Sequence, residues 1–133
     1  MKCPIFILST LSIILFTNCS DEQPDCVCTT EFRMYLVAVI DTLGNPVDSL
    51  QIKITNGKGK EFAFDNLHPP PNMPGTYFVM TDGYQYDFTT RPEKILFRGN
   101  KNGLGVMAEF FFNTDKCRCH VHKVSGPDTL VLK

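Results

Sequence analysis

Nowhere in this sequence do apolar residues recur every three or four positions, so no amphipathic helix is expected and the fold has to be built without one. There is no Gly-x-Ser-x-Gly elbow, no phosphate-binding loop and no His-Glu-x-x-His, which removes the commonest motif-borne hydrolase, nucleotide and metalloprotease chemistries. Lysines and arginines do not cluster: Lys+Arg 13 against Asp+Glu 14 leaves a net charge of -1, and nucleic acid is excluded as an expected partner. Internal repeats and low-complexity tracts are missing too. At 133 residues the chain is long enough for one core and too short for two.

What is present is dominated by strands. In Phe32 to Ile40 nearly every residue is apolar or aromatic, with Phe32, Met34, Leu36, Ala38 and Ile40 on one face and Tyr35, Val37 and Val39 on the other. Period 2 and β-branched content predict a strand, and apolar character on both faces places it centrally. Asp41 ends the run, Leu43-Gly44-Asn45-Pro46 supplies a turn, and Leu50, Ile52 and Ile54 then alternate with Gln51, Lys53 and Thr55 as in a half-buried strand. A first hairpin is expected here.

Further along, Asn56-Gly57-Lys58-Gly59 reads as a turn and Lys60 to Asp65 as a short strand with Phe62 and Phe64 inward. Thr76 to Thr81 and Tyr84 to Phe88 are expected to form a hairpin about Asp82-Gly83. Lys94 to Arg98 and Leu104 to Asn113 follow, the latter with Val106, Ala108, Phe110 and Phe112 on one face. Cys117 to Val124 and Thr129 to Leu132 close the chain. About seven to nine short strands punctuated by Gly, Pro and Asn predict an all-β, antiparallel sandwich.

The run Val37 to Ile54, VAVIDTLGNPVDSLQIKI, resembles the opening of carboxypeptidase regulatory-like domains. That resemblance implies an immunoglobulin-like or transthyretin-like sandwich over residues 31–133, noncatalytic, without a cofactor, and serving as a structural or ligand- and partner-binding module. Transthyretin-like hydrolases end in Tyr-Arg-Gly-Ser, whereas this chain ends Thr-Leu-Val-Leu-Lys, so that activity is not implied.

Residues 1–18 carry one charge, Lys2, and then a run of Ile, Leu and Phe too short for a spanning helix, which reads as a signal peptide. Phe16-Thr17-Asn18-Cys19 resembles the lipobox of bacterial lipoproteins. It implies lipid on Cys19, a membrane as partner, and an envelope location, in the outer membrane and facing outward. The plainer reading of Cys19 is an ordinary thiol. Residues 19–30 form the tether, and Ser20 to Asp25 is acidic and solvated, similar to the export tags of surface lipoproteins.

Of six cysteines, Cys26 and Cys28 precede the domain and Cys117 and Cys119 lie near its end. Residues two apart on a strand share a face, so the two pairs can meet across neighbouring strands. Antiparallel segments would join Cys26 to Cys119 and Cys28 to Cys117. Parallel ones would join Cys26 to Cys117 and Cys28 to Cys119. Each bridge closes a loop of about ninety residues, worth roughly 4 kcal/mol in the chain-entropy model, although the second adds much less than the first. Four thiolates on zinc are the alternative.

His120 and His122 are expected on the face opposite the cysteines, exposed on an edge strand. As a metal-binding pair they distantly resemble the His-x-His iron motif of intradiol dioxygenases, which makes a small metal-dependent enzyme the alternative function. In that family the pair follows a mid-domain Arg-Pro, whereas here Arg91-Pro92 is followed by Glu93. For a protein or glycan partner the candidates are the stiff loop His68-Pro69-Pro70-Pro71 and an aromatic platform of Tyr77, Tyr84 and Tyr86. The carboxylates stand singly at strand ends and turns, where a solvated role is the ordinary one.

Overall fold

A computed structural model describes residues 25–64 and 72–133; Cys19 and the His68-Pro69-Pro70-Pro71 loop lie outside the described residues. The chain is an all-β sandwich. Its strands are β1 (Met34–Ile40), β2 (Gln51–Asn56), β3 (Glu61–Phe62), β4 (Thr76–Thr81), β5 (Glu93–Lys101), β6 (Leu104–Thr114), β7 (Val121–Ser125) and β8 (Thr129–Val131). One sheet has the order β4-β1-β8 and the other β3-β2-β5-β6-β7. Among the described residues all pairings are antiparallel except β1 with β8, which run parallel through Ala38↔Thr129 to Ile40↔Val131.

β1 is the central strand of its sheet, as its sequence predicts, with Val37 and Val39 buried and Met34 half exposed. The expected hairpin with β2 does not form. Asp41 organises the turn by accepting from the Leu43 and Asn45 N–H groups at 2.8 and 2.9 Å, and Gly44 takes φ 88°. Return pairing stops at one bridge, Ile40↔Pro46, because proline has no N–H to extend a ladder. The chain then crosses to the other sheet, where β2 pairs with β5 and β3. Gly75 wedges this crossing open: at φ 66° its N–H donates to Asp48 Oδ1 and its carbonyl accepts from Val39 N–H at 2.7 Å. A Cβ there would stand 2.8 Å from the Val39 carbonyl oxygen and 2.9 Å from Pro46 Cβ.

The core lies between the sheets. Val37, Val39 and Leu130 face Ile54, Phe62, Ile95, Phe97, Phe110, Phe112 and Val121. Each fully buried large side chain contributes about 2–3 kcal/mol, so the alternating aromatics of β6 carry much of the packing. Between β5 and β6, Asn102 and Gly103 take φ 52° and 81°, the two positive values that a tight hairpin turn matching strand twist requires. Outside, Lys53–Glu61 and Lys94–Glu109 pair at 3.2 and 3.0 Å, half exposed and worth at most about 1 kcal/mol each.

The stretch after β4 departs from expectation. Asp82–Asp87 is a short 3-10 helix rather than the turn and strand of a hairpin. The Thr81 hydroxyl caps it by accepting from Gly83 N–H at 3.3 Å, and the Asp82 side chain turns inward to partners on distant segments. The hydroxyl of Tyr84 bonds the backbone of Ala63, and that of Tyr77 bonds Val47 and Leu50. Only Tyr86 of the proposed aromatic platform is exposed, at 72%. Packing takes the other two, and the platform is not assembled.

Gly75→Ala and Gly44→Ala both place a side chain at positive φ, costing about 1–2 kcal/mol, but only Gly75 is crowded. Gly75→Ala is expected to lose at least about 1 kcal/mol more in denaturant unfolding; equal losses would show that the close approach to Val39 is not required.

Candidate functional site

The polar centre of the molecule lies where the N-terminal segment, the 3-10 helix and the approach to β7 meet. Two disulfides close it, Cys26–Cys117 and Cys28–Cys119, with Cα separations of 5.6 and 5.3 Å. This is the parallel pairing of the two that spacing allows, and it sets aside four thiolates on zinc. Neither cysteine segment is a regular strand; Arg118 takes φ 52° between its two cysteines.

Beneath the disulfides lies a buried carboxylate–imidazole pair. His120 and Asp82 are 7% and 5% exposed, and His120 Nδ1 stands 2.7 Å from Asp82 Oδ2. The same carboxylate accepts from the backbone N–H of Arg33 at 2.8 Å and of Val121 at 2.7 Å. Burial pushes the Asp82 carboxyl up, but the bonds from His120, Arg33 and Val121 outweigh it and hold the group below its ordinary value. Asp82 is therefore ionised at neutral pH and can only accept, so Nδ1 of His120 carries a proton. The other ring nitrogen, Nε2, lies 2.8 Å from Thr29 Oγ1. Thr114 Oγ1 donates to the His120 carbonyl at 2.9 Å, and Tyr35 spans the sheets to bond the Val121 carbonyl at 2.8 Å while packing edge-on against Phe112. Among the described residues no fully buried side-chain polar atom lacks a partner.

His122 belongs to a second, outer set. Its Nδ1 is 3.0 Å from an Arg33 guanidinium nitrogen, which can only donate, so Nδ1 accepts and the neutral ring carries its proton on Nε2, 3.7 Å from Asp115 Oδ2. Burial pushes Asp115 up, yet the backbone N–H groups of Cys119 and Cys117 and the His122 side chain bring it below its ordinary value. Arg33 also reaches Glu31 at 3.1 Å.

The histidines thus depart from the expected exposed pair. His120 is buried because Asp82, a residue read as a solvated turn carboxylate, captures it from 38 positions away. Both of its ring nitrogens are engaged. Among the described residues no group of three or more His, Cys, Asp or Glu is set to hold a metal. No local sequence motif marks Asp82 or Thr29. The signal that could have found Thr29 is positional: it follows Cys28 as His120 follows Cys119, and parallel pairing sets the two side by side.

Above the pair runs an open groove lined by residues that include Val27, Thr29, Glu31, Arg33, Lys116 and His120. The chain matches no family model, no curated protein and no solved structure.

Because the folded-state carboxyl of Asp82 is depressed, its contribution to stability is complete above the ordinary carboxylate value of 3.8 and is lost as pH falls through the folded value. Asp82→Asn is expected to cost about 2 kcal/mol at pH 7 and to flatten stability against pH below about 4. The slope shrinks rather than vanishes, since Asp41 and Asp115 are depressed too. An unchanged acid limb in urea titrations of Asp82→Asn would contradict this assignment.

Proposed function

We propose that the chain is a lipid-anchored module of the bacterial cell envelope, in which residues 1–18 are removed, Cys19 carries lipid, and residues 19–30 tether a carboxypeptidase regulatory-like sandwich that serves as a structural or partner-binding unit. The observation that supports it best is the pair of disulfides joining the start of the domain to its far end. Such bridges persist in oxidising compartments, which agrees with export behind a signal peptide. They also fit a chain pulled from one end. Cys26 follows Cys19 by about seven residues, a reach of at most roughly 25 Å, so a lipid on Cys19 would keep the clasped end of the sandwich near the bilayer. Any strain on the tether would then be borne by covalent bonds rather than by the three-residue β8 or the edge of β7.

An outer-membrane, outward-facing position follows from the acidic residues Asp21, Glu22 and Asp25 within this same reading. A protein or glycan partner would meet the sandwich at His68-Pro69-Pro70-Pro71, where prolines reduce the entropy lost on docking.

The test is the intact mass of protein purified from envelope membranes. The expected result is a chain beginning at Cys19 with an acyl increment, absent from Cys19→Ser, which is released from the membrane. A chain with an unmodified Cys19 would overturn the anchor. Replacing Pro69, Pro70 and Pro71 by glycine should weaken capture of envelope partners several-fold, and full retention would remove the loop from the proposal.

A further inference from the structure

The residues next to the inner disulfide form a series of their own. Thr29 follows Cys28 and His120 follows Cys119, so one covalent bond sets the hydroxyl and the imidazole opposite each other, and Cys26–Cys117 fixes the segments one step further out. Thr29 Oγ1 lies 2.8 Å from His120 Nε2, and His120 Nδ1 lies 2.7 Å from Asp82 Oδ2. With Asp82 ionised, Nδ1 holds the ring proton and the Nε2 lone pair faces the Thr29 hydroxyl. The carboxylate cannot rotate away, because the N–H groups of Arg33 and Val121 hold both of its oxygens.

A hydroxyl, an imidazole and a buried carboxylate in this order, at these separations, are what a nucleophile, its general base and the base's orienting group require. Burial is graded in the same sense. Asp82 and His120 are shielded, whereas Thr29 is exposed in the lining of the open groove. An exposed hydroxyl is satisfied by water and needs no protein partner. The disulfide on the adjoining residues, with the second one further out, limits the separations open to Oγ1 and Nε2, which is the pre-organisation a reacting pair benefits from.

We propose that Thr29, His120 and Asp82 form an acyl-transfer site acting on small carboxylic esters that reach the open groove. Thr29 Oγ attacks the ester carbonyl carbon while His120 Nε2 takes the hydroxyl proton. The carbon–oxygen bond to the alcohol breaks, and the departing oxygen receives that proton from His120. Water then attacks the Thr29 ester, giving its proton to His120. Thr29 leaves, regains a proton and frees the carboxylic acid, so the net reaction is ester plus water to acid plus alcohol. Arg33 and Lys116 line the same groove together with Glu31 and Asp115; Arg33 is engaged by Glu31 and His122, which leaves Lys116 as the cation of the lining for a developing oxyanion. This inference goes beyond the module reading and does not depend on lipid at Cys19.

The test uses the full chain with its disulfides intact, an alkyl fluorophosphonate as the label and p-nitrophenyl acetate as the substrate. One phosphonyl adduct is expected, on the peptide containing Thr29 and absent from Thr29→Ala, with nitrophenol release at least tenfold above that variant. Thr29→Ser, free of the β-methyl that crowds the attack, should label faster. Reduction of the disulfides should abolish the activity. No adduct on folded wild type and Thr29→Ser at pH 8, an adduct elsewhere, or equal hydrolysis by Thr29→Ala would overturn the proposal and leave the hydrogen bond as a latch. The intact mass of the same samples reports the state of Cys19 independently.

Discussion

The interaction on which the clasped end of this molecule depends is the bond between Asp82 and His120. Two ionisable side chains, 38 residues apart, are withdrawn from water together, and the carboxylate satisfies its remaining capacity with two backbone N–H groups from separate segments. Removing one member of such a buried pair leaves the other without its partner and costs about 2 kcal/mol, a sizeable fraction of a small domain's stability. The consequences are local and specific. The chain after β4 coils into a 3-10 helix so that Asp82 points inward, β1 begins where Arg33 donates to it, and β7 begins where Val121 does.

Around this centre the covalent and noncovalent constraints run in series. The disulfides join residues 26 and 28 to 117 and 119, and the very next residues, Thr29 and His120, continue the contact by hydrogen bond. Tyr35 then ties β1 to β7 through the Val121 carbonyl while its ring lies on Phe112. Polar order at one end of the sandwich thus passes directly into aromatic packing in the middle. The three-stranded sheet, whose β8 has only three residues, is held to its partner sheet by these cross-links as well as by the core.

Much of the scaffold was legible in the sequence because it rests on local periodicity. The alternation of Val106, Ala108, Phe110 and Phe112 marks the core face of β6, and Asn102-Gly103 marks its turn, since both signals arise within a few residues. What was not legible depends on partners far along the chain. Whether β1 and β2 form a hairpin or cross between sheets is decided by Pro46 and by Gly75, which packs into the corner from 29 residues later. Tyr84 to Phe88 alternates as a strand would, yet Thr81 capping and the inward pull on Asp82 prevail over the pattern. The cysteine spacing allowed two connectivities; the parallel one brings Thr29 against His120. The histidines read as solvated from sequence because nothing near them announces Asp82.

The protonation of His120 tests the account most directly, through long-range nitrogen–proton correlations of the imidazole in labelled, oxidised protein at neutral pH. The account predicts a neutral ring with its proton on Nδ1, shared with Asp82, and a bare Nε2 whose shift moves in Thr29→Ala. A ring protonated on Nε2, or one whose Nδ1 signal is unchanged in Asp82→Asn, would contradict it.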